Sequence, residues 1–93
     1  MEKTEKLVLI EGEFLHQEAK DILMNIFSSK INFHQLKNFS SQERFGKEDA
    51  TAVRRIPELK KEMERLQGIL SEAKEANSKL HISSEIQISL SRD

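Results

Sequence analysis

Between Ile56 and Leu80, the side chains Ile56, Leu59, Met63, Leu66, Leu70, Ala73, Asn77 and Leu80 recur at alternating steps of three and four residues. This a/d heptad pattern puts them on one face of a long helix and requires a second helix to cover it. It predicts a helix over about 50–79, capped by Asp49 or Thr51. Pro57 falls at a solvent-facing b position, where it either starts the main helix or kinks one that began earlier. Outside the seam the helix is charged, with Glu75 and Lys79 in favourable i, i+4 order.

Upstream, Leu15, Ala19, Ile22, Leu23, Ile26 and Phe27 repeat at helical spacing, and the stripe continues through Phe33 and Leu36. A first helix is expected over about 15–38, continuous through Ser28 and Ser29 or bent there. Residues 39–49 read as a structured corner. Ser40 and Glu43 have the spacing of a capping box, and Gly46 is placed to end a short helical turn over 42–45.

The period is two at both ends of the chain. Residues 6–14 read as a strand with Val8, Ile10, Gly12 and Phe14 on one face and Leu7, Leu9, Glu11 and Glu13 on the other. Residues 80–91 read as a second, with Leu80, Ile82, Ser84, Ile86, Ile88 and Leu90 on one face. Ser83-Ser84 is no hairpin turn, because a tight turn there would bring Ile82 and Glu85 to the same face. The order β-α-α-β gives an α+β fold, an antiparallel helical hairpin whose N- and C-terminal strands pair antiparallel. Matching the apolar faces sets Val8 opposite Leu90, Ile10 opposite Ile88, Gly12 opposite Ile86 and Phe14 opposite Ser84. A two-stranded ribbon keeps two unpaired edges, so a homodimer is expected, with Leu7, Leu9, Val53 and Ile69 as its candidate contacts.

The chain has 93 residues, enough for one domain and one core. Its 15 basic and 16 acidic side chains nearly cancel, on both sides of Gly46, so neither half is a basic module made for phosphates. There is no cysteine, hence no disulfide framework. The apolar run Leu7–Ile10 is too short for a signal core or a membrane span, and a cytoplasmic protein with no membrane association is the expectation.

Candidate chemistry is sparse. His16, His34 and His81 lack metal-ligand spacing. Glu11, Glu13 and Glu85 share the outer ribbon face without a nucleophile or a glycine-rich loop beside them, so no catalytic residue, metal or cofactor is assigned. Phe27, Phe33, Phe39 and Phe45 fall six residues apart, about 600° of helix, which no single face accommodates. They anchor the corner into the core, or Phe33, Phe39, Arg44 and Phe45 dock a partner protein. Arg54, Lys61 and Arg65 form the one basic face, the basis of an alternative reading as a small nucleic-acid-associated regulator; interleaved glutamates and the lack of stacking aromatics weigh against it. Asn77, near the end of the seam, reads as solvated.

Ile10-Glu11-Gly12-Glu13-Phe14 running into Glu18-Ala19, together with Lys30-Ile31-Asn32-Phe33-His34 and Glu43-Arg44-Phe45-Gly46, resembles small bacterial proteins of about this length to which no function is assigned. The resemblance implies a stand-alone bacterial protein and no activity. The functional expectation is a non-enzymatic, self-associating interaction or structural module.

Overall fold

The computed structural model describes residues 3–90 as β1 (Thr4–Phe14), α1 (His16–Phe45), α2 (Ala50–Ala76) and β2 (Leu80–Ser89). It is the α+β hairpin expected: the helices pack antiparallel, and β1 pairs antiparallel with β2. The expected strand end at Ser91 lies outside the described residues.

α1 runs without a break through Ser28 and Ser29 and absorbs most of the expected corner. Ser40 and Glu43 therefore lie inside a helix and form no capping box. The reciprocal bond of a capping box occurs at the other end instead, where Glu18 Oε1 accepts the Leu15 N–H at 2.9 Å. Gly46 terminates α1 in the left-handed conformation at φ 67°, donating its N–H to the Gln42 carbonyl.

Of the two candidate caps for α2, Asp49 takes the role, accepting the Ala52 N–H at 2.9 Å. α2 thus begins well before Pro57, which sits exposed within it. Asn77 is also exposed, but it does more than meet solvent. It ends α2 at φ 52°, and the next N–H, of Ser78, reaches the Ala73 carbonyl at 2.9 Å.

The α2 seam is as read, with Leu59, Leu66, Leu70 and Ala73 buried and Ala52 extending it upstream. The α1 seam is not. After Phe27 the row facing α2 continues through Ile31, His34, Asn38 and Ser41, while Phe33 and Leu36 are 49% and 62% exposed. Two apolar rows diverge at Ile26 and Phe27, and the buried one contains the polar residues.

Around Ala19, Leu66 and Leu70 the core gathers Leu23, Met24 and Phe27 from α1, Phe14 from β1, and Leu80 and Ile82 from β2. Short connections then fix the strand register. One residue joins β1 to α1 and three join α2 to β2, so strand ends leave the helix pair level, and Phe14 meets Leu80 and Gly12 meets Ile82. The expected register is displaced accordingly. A β-bulge between Val8 and Ile10 also breaks the strict alternation, pairing Leu7 with Ile86 and Val8 with Glu85, so Leu7 joins the face of Ile10.

Gly12 adopts φ 148°, a conformation that L side chains avoid, with the Phe14 ring 3.8 Å from where a Cβ would stand. The helices cover only the inner half of the ribbon; residues from Thr4 to Leu9 and from Glu85 to Ser89 are exposed on both faces.

Candidate functional site

The C-terminal half of α1 and the corner after it bring several of the expected docking residues onto one surface. Asn38 Oδ1 accepts the Asp49 N–H at 2.8 Å, tying the corner back onto α1. Gly46 turns the chain, and Asp49 starts α2. Held this way, Phe33, Leu36, Arg44 and Phe45 line a groove of about 480 Å³ with Asp49 at its edge. Three of the four expected docking residues, Phe33, Arg44 and Phe45, therefore converge. Phe39 is exposed but stands outside the groove, because six residues of helix carry it round from Phe33.

Leu36 completes this groove, although its spacing in the sequence places it in the core stripe. Lys30 and Lys37 stand outside the sequence-based expectation as well. Their Nζ atoms lie 5.1 and 5.8 Å from the Phe33 ring centroid, close enough for cation–π attraction. The i−3 and i+4 positions of these lysines relative to an exposed phenylalanine were the available signal.

Next to Phe33, on the inward face, His34 is 5% exposed, and neither ring nitrogen has a hydrogen-bond partner among the described residues. Its ring meets Phe33 edge-on, with centroids 5.4 Å apart. Burial pushes its pKa below the ordinary value of about 6.5; Lys30, Arg55 and Lys37 push the same way, and Asp49 opposes them.

The remaining candidates are dispersed. Leu7 and Leu9 lie in the uncovered half of the ribbon, Leu9 at the bulge. Val53 and Ile69 are both exposed on α2 but roughly 24 Å apart along it, too far to make one patch. On the basic face, Arg54 Nη1 is 4.0 Å from Glu58 Oε1, and Arg65 Nη1 is 3.1 Å from Glu62 Oε1. A hydrogen bond from Arg55, at 2.8 Å, holds the Glu58 carboxyl below the usual range. With Arg54 and Arg65 engaged by glutamates, Lys61 is left as the third member of that face.

Glu11, Glu13 and Glu85 pair across the ribbon with Ser83, His81 and Val8, so none faces another carboxylate. His16 borders a polar groove with Lys20, Gln67 and Lys74. Among the described residues no three metal-ligating side chains are grouped to hold an ion, and no helix is long and apolar enough to cross a membrane. Comparison with protein-family models, curated proteins and solved structures finds no match for this chain.

Proposed function

We propose that the chain is a non-enzymatic interaction module whose first partner is a second copy of itself. The observation that carries this reading is its excess surface. The accessible area is 7643 Å², against about 5,500 Å² for a compact monomer of 10.8 kDa. The radius of gyration is 16.8 Å, where about 12 Å is usual for this length.

Extents of 50 × 36 × 15 Å describe a plate one layer deep, whereas stable domains bury a core between two layers. A homodimer that covered about 2,000 Å² on each chain would fall in the obligate class of interfaces. The outer half of the ribbon, with Leu7, Val8, Leu9, Ile86 and Ile88 exposed and two free edges, is the natural second-layer surface.

Light scattering across a concentration series tests the reading. The expected mass is twice 10.8 kDa, falling to the monomer value in Leu7→Glu with the helical circular dichroism retained. A wild-type chain that stays monomeric at high micromolar concentration overturns self-association.

A further inference from the structure

The outer row on α1, half-buried at Ile22 and Ser40 and exposed between them, is itself a heptad seam. Ile22, Ile26, Ser29, Phe33, Leu36 and Ser40 alternate by four and three, as the row buried against α2 does, but lie roughly 150° round the helix from it. Two grooves meet on this face and share Phe33. One passes Ile26 and Ser29, and the other continues past Leu36 to Arg44 and Phe45. Together they follow about 30 Å of helix, the length of three heptads. The small Ser29 and Ser40 leave holes beside bulky Phe33 and Leu36, the relief into which a second helix inserts its knobs.

Charge then narrows the occupant. Lys30, Lys37 and Arg44 recur every seven residues along one border of the seam, and none takes part in the ion pairs found among the described residues. Between Ile22 and Phe45 the chain offers one acid, Glu43, and the Asp49 carboxylate at the edge of the groove is engaged in capping α2 through the Ala52 N–H. Positions flanking an a/d seam select the partner by charge, so this border calls for Glu or Asp.

A second copy of α1 has nothing to give it. Laid antiparallel it opposes lysine to lysine, and laid parallel it opposes lysine to Asn25 and Asn32. A lipid surface fits poorly too, because membrane-binding helices present a broad apolar face, not a row two residues wide with serines in it.

From this placement we infer that the outer face of α1 binds an amphipathic helix of another protein, apolar at its a and d positions and acidic beside them. The inference rests on the interaction-module reading but not on self-association.

The test titrates the full chain against a three-heptad peptide with Leu at a and d and Glu at e and g, and against a matched peptide with Lys at e and g. The Glu peptide is expected to bind at least about tenfold tighter, a preference that shrinks with salt. Lys30→Glu combined with Lys37→Glu reverses the order. Leu36→Asp weakens binding by about tenfold or more, with helical content and solution mass unchanged.

Equal binding of both peptides, binding of neither, or a preference that survives the double substitution overturns the inference. So does selective binding to phosphatidylserine vesicles in place of the peptide. A monomeric mass with selective peptide binding removes self-association alone, and a dimer without selectivity removes this inference alone.

Discussion

Asn38 Oδ1 accepts the backbone N–H of Asp49 across the corner at 2.8 Å, and the Asp49 carboxylate in turn accepts the N–H of Ala52. The end of α1 is thereby bonded to the residue that starts α2, and the polar Asn38 occupies a seam position with its hydrogen bond satisfied. Asn38→Ala removes one bond and leaves a part-buried donor, at a cost of about 1 kcal/mol. Asp49→Ala removes the cap, at about 1 kcal/mol. Urea denaturation of both variants is expected to show these losses, and Asp49→Asn should recover most of the second.

His34 gives the fold a pH dependence whose sign follows from its burial. Its pKa in the folded chain is lowered, so between that value and the unfolded value of about 6.5 the unfolded chain binds more protons. Stability is fully present above that unfolded value and is lost as pH falls below it, levelling out once pH passes the folded value. Lys30, Lys37 and Arg55 reinforce the effect, and Asp49 partly offsets it. The melting temperature is expected to be flat from pH 8 to about 7 and to drop below about 6.5. In His34→Leu that slope disappears, because the substituted side chain fills the same seam without a titrating group. An unchanged slope in the variant would place the proton uptake elsewhere.

How far the sequence carried depends on the element. The α2 seam was readable because its row is apolar from Leu59 to Ala73. Strand order and helix pairing followed from it, since terminal strands can meet only if the helices fold back. On α1 the periodicity is present twice, and hydropathy points to the wrong copy: Phe33 and Leu36 outweigh His34 and Asn38, yet the latter face α2. What settles the choice is the Asn38 to Asp49 bond and the direction in which α1 continues from Phe27, both tertiary facts. The strand register failed for a related reason. Face matching tolerates shifts of two residues, and only the short connections at Leu15 and at residues 77–79, with the bulge at Leu9, fix it. At the groove, the six-residue spacing of Phe33 and Phe45 around a turn marks aromatics that no single helix face can bury, with Arg44 beside them, whereas Leu36 shares the periodicity of the core stripe.

Both helices end on a residue in the left-handed region, Gly46 at φ 67° and Asn77 at φ 52°. Nothing lies within 4 Å of a Cβ placed on Gly46, so the cost of Gly46→Ala is conformational, about 1–2 kcal/mol, with a fall in melting temperature of several degrees. Gly46→Asn should cost less, since Asn visits this region more readily. Asn77→Gly is expected to be neutral or stabilising and Asn77→Ala destabilising. Thermal melts of the four variants check the ordering, and a harmless Gly46→Ala would mean that α1 ends in another conformation.

Which face of α1 is internal can be decided by four truncations. Ile31 and Leu66 are buried between the helices, whereas Phe33 and Leu36 are about half exposed or more. Ile31→Ala and Leu66→Ala each remove core contacts, at about 2–5 kcal/mol. A chain of this size has roughly 5–14 kcal/mol in all, and a one-layer plate belongs near the lower end, so either change should leave the chain partly unfolded at physiological temperature. Phe33→Ala and Leu36→Ala are expected to stay within about 0.5 kcal/mol of the wild type. Chemical denaturation at low micromolar concentration compares them directly, with self-association minimised. If the losses fall on Phe33 and Leu36 while Ile31→Ala is neutral, α1 is rotated in the hairpin and its outer face is free to bind nothing.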